Sequence, residues 1–406
     1  MKRIAIIGGG ASGMMAGISA SLNGQCVDLY ESNEKLGKKI YITGKGRCNL
    51  TNNCDRVDFF NNVVSNPKFF YSCFSEVSNQ FIINFFENNG LKLKVERGNR
   101  VFPYSDKASD VIKTLEKLLI KQGVNIHLNT KVSNLLVEDN KVKGIIIDNE
   151  KIYYDSVIVC TGGISYQATG STGDGYDFAK SVGHKIISPV AGLSAVKLQG
   201  NDFAELQGLS LKNVKISCLN NEKRIFSEFG EMLFTHFGVS GPIVLTMSSY
   251  INREDLKNLT ISIDLKPALD FETLNNRLLR EFLDNNSKNI SSVMKSLVPS
   301  SLINLILRRS NINSTVKCSE ITKKQRFDLI NILKGLSFRI KDLFDINQAI
   351  ITAGGVSVKE INPKTMESKL VQGLFFAGEV IDVDALTGGF NLQIAFSTGY
   401  VAGKNA

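Results

Sequence analysis

Histidine is scarce, with three residues in 406 at positions 127, 184 and 236, too far apart along the chain to announce a metal cluster. Cysteine is present in odd number, seven residues scattered from 26 to 318. That excludes a disulfide framework or a zinc module and points to a reducing compartment. No apolar run reaches the roughly 18 residues of a membrane span. The N-terminus runs directly into an apolar strand with no secretory signal ahead of it, so the expectation is a cytoplasmic protein. Length suggests two or three domains, and 43% hydrophobic content suffices for packed cores.

Glycine, by contrast, is abundant, and its placement matters from residue 8 onward. Lys2-Arg3 leads into Ile4-Ala5-Ile6-Ile7, the uninterrupted apolar run of a strand buried on both faces of a parallel sheet. Gly8-Gly9-Gly10-Ala11-Ser12-Gly13 follows and fits G-x-G-x-x-G at Gly8, Gly10 and Gly13. A helix is expected from about Ala11 to Asn23, stopped by Gly24, and then a strand over Cys26–Tyr30 that ends on Glu31. This βαβ order is what a dinucleotide requires. Gly8 permits the tight turn, and Gly10 lets N–H groups around Ala11 and Ser12 approach a pyrophosphate. Gly13 lets the helix lie close to the sheet, its positive end toward the phosphates. Glu31 accepts from both ribose hydroxyls and repels a 2′-phosphate, which selects an FAD- or NAD-type ribose.

A second fingerprint is missing. Gly170–Gly175 opens a helix without an apolar strand before it, so it is not read as another nucleotide site. NADH or NADPH, if either donates electrons, has no Rossmann domain of its own.

Beyond Glu31, Lys39, Gly46, Arg47 and Cys48 lie in a basic, glycine-rich stretch suited to a loop along a phosphate and flavin edge. Lys39 or Arg47 would offset pyrophosphate or reduced-flavin charge there; the alternative is an exposed basic turn. Cys48 and Cys54 are spaced C-x5-C, one residue longer than the redox pair of flavin disulfide reductases. Nothing between them suggests the helical placement such a pair needs. The aromatic stretch 59–89 reads as helical core, Arg100–Pro103 as a short strand, and Ser105 or Asp106 as the cap of a helix running to Gln122. Val124–Leu128 is a third parallel strand. Hairpin signals at 139–140 and 148–150 mark a β-meander beginning beside Val132 and ending at Tyr154. It leads into a return strand, Ser156–Cys160, and the turn Thr161-Gly162-Gly163. FAD proteins use such an excursion to close over the cofactor; a plain NAD domain has no need of it.

Residues 189–265 alternate as strands, interrupted by a Pro242 helix start with His236 nearby, a candidate substrate contact or proton shuttle. Residues 266–336 read as amphipathic helices, with Asp270, Ser291 and Ser319 as caps. Lys266–Lys341 carries fourteen Lys and Arg against six Asp and Glu, nearly all of the chain's net charge of +9. A solvated helical face explains this, and an anionic partner such as RNA is the alternative. The chain ends with a strand into Ala377-Gly378-Glu379, then Asp382, then a helix opening at Gly388-Gly389-Phe390-Asn391-Leu392. The acids are placed to hold ribityl hydroxyls. The helix start near Asn391 would face the flavin's pyrimidine edge, where reduction puts negative charge.

With these motifs the chain resembles the aminoacetone oxidase-like, BaiN-like family of FAD-dependent oxidoreductases over nearly its whole length. The resemblance rests on residues 8–13, 44–49 (Gly-Lys-Gly-Arg-Cys-Asn), 100–103, 161–163, 170–175, 235–242 (Thr-His-Phe-Gly-Val-Ser-Gly-Pro) and the C-terminal motifs. It implies non-covalent FAD contacted by the 44–49 loop and the final Gly-Gly helix, and it implies little about substrate.

The expected architecture is α/β: a Rossmann-like FAD-binding domain of glutathione-reductase type in two parts, 1–188 and 343–406. A β-rich substrate domain (189–265) and a small helical insertion (266–342) interrupt it. The expected function is FAD-dependent oxidation or reduction of a small molecule by hydride transfer at flavin N5, of amine oxidase or NAD(P)H-dependent reductase type. The alternative is an RNA-binding flavoprotein that uses the basic helices for FAD-dependent RNA modification.

Overall fold

Apolar side chains on both faces make β1 (Arg3–Ile7) a central strand. It pairs in parallel with β2 (Cys26–Tyr30) and β10 (Ser156–Val159). β6 (Asn125–His127) and β19 (Leu374–Phe376) extend the sheet to the order β19-β10-β1-β2-β6. The computed structural model describes residues 1–406 and divides into two compact units, Met1–Gly192 with Ile346–Ala406, and Leu193–Asp345.

In the first unit, α1 (Ala11–Leu22) packs against α13 (Phe390–Asn405), the last helix of the chain. Gly399 lies on the carbonyl of Ser12 and Gly403 on that of Ala16, so closely that a Cβ on either would overlap the oxygen. α6 (Ala108–Lys121) also packs on α1. It begins at Ala108, not at a Ser105 or Asp106 cap. Asp106 is left-handed (φ 57°), with its carboxylate held by Lys94, and Ser105 donates to Asp110. α2 (Lys38–Ile42) follows the nucleotide loop and α7 (Asp174–Ser181) follows the return strand.

The aromatic stretch divides into α3 (Arg56–Asn61), α4 (Pro67–Glu76) and α5 (Asn79–Asn88). Left-handed Asn66 before Pro67, and Ser78 accepting from the Phe81 N–H, make the breaks. Two small antiparallel sheets complete the periphery. One is β3 (Thr51–Asn52), β5 (Arg100–Pro103) and β4 (Leu93–Glu96); the other is the meander β7 (Asn134–Glu138), β8 (Lys141–Ile147) and β9 (Glu150–Tyr153). The chain leaves this unit on β11 (Ile186–Gly192) and returns on β18 (Ile351–Val356), its antiparallel partner.

The second unit is a closed barrel of β12 (Val196–Leu198), β15 (Gly238–Ser240), β14 (Lys223–Thr235), β13 (Ser210–Asn220), β16 (Leu259–Asp264) and β17 (Leu336–Leu343). β17 lies where the helical insertion was expected to end. Leu336, Phe338 and Ile340 are buried and Ser337, Arg339 and Lys341 exposed, a period of two that closes the barrel against β12. α8 (Pro242–Ile251) begins at Gly241. The helices α9 (Phe271–Asp284), α10 (Ile290–Val293), α11 (Ser300–Arg309) and α12 (Lys323–Lys334) lie between β16 and β17. Asp270 caps α9, but Ser291 and Ser319 cap nothing. Asn289 precedes α10, and Thr322 caps α12 in a capping box with Gln325.

Two stability predictions follow from buried contacts of the first unit. Gly403→Ala forces a methyl group into the Ala16 carbonyl and should cost about 1–3 kcal/mol in denaturant unfolding; a neutral result contradicts the close approach. His184 is fully buried, its Nδ1 3.2 Å from Glu360 and its Nε2 2.8 Å from Ser368. Burial outweighs the carboxylate and holds its pKa below the usual value. The unfolded chain therefore binds this proton first, and stability falls as pH drops below about 6.5. His184→Gln should flatten that limb of the thermal-unfolding profile; an unchanged slope would assign it to other groups.

Candidate cofactor-binding site

Gly8 turns the chain from β1 into α1 with φ 104°, its N–H donating to Tyr30 (2.8 Å) and its Cα side pressed on the Cys160 carbonyl. Gly13 lies so close to the Gly8 carbonyl that no Cβ fits. Gly10 differs. A Cβ there would meet nothing within 4 Å, and no side chain caps the helix it precedes. Protein packing does not require glycine at 10; the open space in front of the α1 N-terminus suits a bound anion.

Glu31 is buried beside this loop. One carboxylate oxygen accepts from the Gly9 N–H (2.8 Å), the other from the backbone (2.9 Å) and side chain (2.6 Å) of Asn33. The Ser32 hydroxyl also donates to the second oxygen (3.3 Å), so the open lone pair lies on the oxygen that faces Gly9. The backbone N–H of Thr130 bonds the Glu31 carbonyl (2.9 Å), which brings the chain entering buried Val132 to the same place. Gly170 lies against Asn33, with a Cβ position 3.7 Å from Glu31 Oε1. The glycine run not read as a second nucleotide site thus lies beside Glu31 and Asn33.

Thr161 abuts Gly8, and Gly163 abuts Thr352 and Glu379. The Thr352 hydroxyl accepts from the N–H groups of Ile164 (2.9 Å) and Ser165 (3.0 Å), fixing the turn that contains Gly162. Lys39 reaches across to Glu379 Oε2 (2.7 Å) and Ser165 Oγ (2.6 Å), while Glu379 Oε1 accepts from the Thr352 N–H (2.7 Å). Gly378 packs on Ser12. Asn66 donates to Asp382, Gly389 lies on the Thr51 carbonyl, and Asn391 with Leu392 forms the first turn of α13.

Of the two cations proposed to offset cofactor charge, Arg47 is paired with Glu96 and Asp106 and lies 4.2 Å over the Phe102 ring. Those partners raise its pKa. Gly46 precedes it in a loop where Gly44, Lys45 and Cys48 are all left-handed. Cys48 is buried with its thiol pushed up to about 12, Cys54 up to about 11, and every cysteine is free. Burial thus suppresses the thiolate that disulfide exchange needs. His236 lies in the second unit, exposed at the turn between β14 and β15 with Phe237 edge-on at 5.0 Å. No group of three or more His, Cys, Asp or Glu side chains is placed to hold a metal ion.

Asn33, Ser165, Thr352, Asn52 and Asn66 were not singled out from the sequence, because each makes its contacts across more than one loop; the 170–175 run was noted, but not as a neighbour of Glu31.

The sequence profile described as "HI0933-like protein Rossmann domain" matches residues 2–405. A 3-dehydro-bile acid delta(4,6)-reductase from Clostridium scindens is 32% identical over 100% of this chain and 99% of its own. A ribosomal RNA dihydrouridine synthase from Haemophilus influenzae is 30% identical over 97% and 96%. Its counterpart from Escherichia coli is 28% identical over 98% and 96%. Among solved structures, 3-ketosteroid delta1-dehydrogenase from Sterolibacterium denitrificans superposes with a TM-score of 0.54 at 13% identity, covering 99% of both chains. A flavocytochrome c3 fumarate reductase gives 0.50 at 17% identity over 100% of this chain and 78% of its own. These two share the fold. Family and neighbours are FAD-dependent oxidoreductases, and the residues described fit FAD: open space at Gly10, a buried acid after β2 with one open lone pair, and a second helix start at Gly389.

Gly10→Val offers a direct check. Its extended backbone (φ −79°, ψ −167°) accepts a β-branched residue, and no protein atom lies within 4 Å of the Cβ position. The apoprotein should melt as wild type while FAD uptake, followed by flavin fluorescence quenching, is lost. Retained uptake would move the pyrophosphate elsewhere.

Proposed function

Because the chain belongs to the HI0933-like family of FAD-dependent oxidoreductases, we propose that it saturates a carbon–carbon double bond conjugated to a carbonyl, with uracil rings of structured RNA as its substrate. FAD, when bound and reduced, would supply a hydride from N5 for the electrophilic carbon of such a bond. The chain's own residues bind and orient. Gly8–Gly13 and Glu31 would hold the adenosine diphosphate half, Glu379 and Asp382 the ribityl hydroxyls, and the α13 start the pyrimidine edge. His236 is the candidate proton donor to the second carbon. NADH or NADPH would reload the flavin without a domain of its own.

The observation that carries this reading is the surface of the second unit. Arg280, Lys288, Lys295, Lys317, Lys323, Lys324, Arg339 and Lys341 are exposed, and none forms an ion pair. A polyphosphate backbone is the partner such a surface recruits. Two relatives spanning nearly the whole chain are named for making dihydrouridine in ribosomal RNA. A second reading keeps the reaction and changes the substrate to a small 3-oxo steroid acid, favoured by the 32% identity to a bile acid reductase. A single carboxylate, however, has no use for so many unpaired cations.

The test is anaerobic. Photoreduced holoprotein is mixed with a ribosomal RNA transcript or with a 3-oxo-Δ4,6 bile acid, and flavin reoxidation is followed. RNA should reoxidise it at a rate that falls steeply with salt, and the steroid slowly or not at all; the reverse order selects the second reading. His236→Ala should slow reoxidation roughly 100-fold or more with FAD retained. An unchanged rate removes His236 from the reaction.

A further inference from the structure

The apolar stripes of α9 and α12 both run out into solvent on a phenylalanine. Along α9, Leu274, Leu278 and Phe282 are buried, whereas Phe271, which continues their stripe to the helix start, is 42% exposed. Along α12, Leu329, Ile330 and Leu333 are buried, and Phe327, one turn before Ile330, is only partly covered. The two rings meet at 5.5 Å between centroids, tilted by 60°. Far apart in sequence, they become one aromatic surface where the two helices pack.

Cations stand around this surface. Lys323 Nζ lies 5.6 Å, and the Arg326 guanidinium carbon 5.7 Å, from the centre of the Phe327 ring. Arg326 Nε donates to the Asn275 side chain (2.9 Å), which holds the guanidinium between the two helices. Lys324 is exposed beside them. None of the three forms an ion pair, and the first turn of α12 holds no acid. Of the acids close in sequence, Asp270 caps α9 by accepting from the Thr273 N–H (2.7 Å), Glu272 is exposed and Asp328 is half-buried. Like charges gathered this closely repel one another, and an anionic partner relieves that repulsion. Phosphates alone would have no use for the two rings. An unpaired nucleotide uses both features, since every base has a face that stacks on an aromatic ring and every link carries a charge.

We propose that Phe271 and Phe327, with Lys323, Lys324 and Arg326, form a platform on which unpaired bases of RNA stack while the adjoining phosphates meet the cations. The inference rests on the RNA reading above. It adds where on the second unit the strand is held, and that the strand is held through exposed base faces and not through the shape of a duplex.

The test follows, by titration calorimetry on FAD-loaded protein, the binding of a single-stranded uridine oligonucleotide roughly twelve nucleotides long. Heparin serves as a polyanion without bases. Phe271→Leu and Phe327→Leu keep an apolar side chain and remove the ring. Each should weaken oligonucleotide binding roughly tenfold, with heparin affinity and the salt dependence unchanged. Lys323→Ala and Lys324→Ala should weaken both ligands, and each should reduce the salt slope for the oligonucleotide by about 0.7. Because the chain contains no tryptophan, Phe271→Trp places a single indole on the platform. The oligonucleotide should quench its fluorescence and heparin should not. Wild-type affinity in both leucine variants overturns the proposal, as do equal losses for oligonucleotide and heparin. Should both leucine variants fail to fold, indole emission that ignores the oligonucleotide overturns it instead. A wild-type protein that binds neither the oligonucleotide nor a ribosomal RNA transcript fails the RNA reading itself; one that binds the transcript but not the oligonucleotide fails only this inference.

Discussion

The contact between α1 and α13 joins residues from opposite ends of the chain with almost no side chain between them. Gly399 over the Ser12 carbonyl and Gly403 over that of Ala16 let the backbones meet, and the Gly13 contact holds α1 equally close to the Gly8 turn. Helices this near have little freedom to slide. Their N-termini, one after Gly10 and the other after Gly389, are thereby fixed relative to each other. Each presents unsatisfied N–H groups and a positive dipole end. A ligand with negative charge at a diphosphate and, after reduction, at its far ring matches two such ends held at a set separation. The remaining parts of the first unit serve this pairing. Glu31 and the Gly170 loop adjoin the first helix start, and Lys39, Ser165, Thr352 and Glu379 tie together the turns between the two helix starts.

Much of this was legible along the chain because the determinants are local. A buried parallel strand, a glycine turn and an acid at the end of the next strand lie within thirty-one residues, and their order is itself the motif. The meander and the Ala-Gly-Glu strand end are similarly contiguous. What could not be read depends on partners distant in sequence. The charge on Arg47 looked available until Glu96 and Asp106 were brought to it by a neighbouring strand turn. Asp106 looked like a cap but is held by Lys94 instead. β17 was hidden at the end of a helical stretch because its alternation is short and follows α12 directly. Asn52 and Asn66 carried no sequence signal at all, since a side-chain amide that covers a remote carbonyl looks the same as one facing water.

The second unit reads differently. Its barrel is specified by alternation, and its helices by caps and amphipathic faces, while the proposed function draws on its surface charge. Residues with salt-bridge partners, such as Arg308 with Glu205, Arg309 with Asp202 and Lys334 with Asp264, belong to its internal architecture. The cations without an ion-pair partner are the ones the proposed RNA reading draws on. Under the proposed reading, the redox reaction belongs to the first unit and the choice of anion to the surface of the second. That division is consistent with relatives of similar identity acting on a steroid acid in one case and on ribosomal RNA in others.

The central claim is that one cofactor is gripped at once by both helix starts. Amide hydrogen exchange of the apoprotein against the FAD-saturated protein tests it most directly. The account predicts added protection in two separated peptides together, Gly8–Met15 and Gly388–Ile394, with little change in the barrel. Protection confined to the first peptide, with the α13 start exchanging as before, would contradict it.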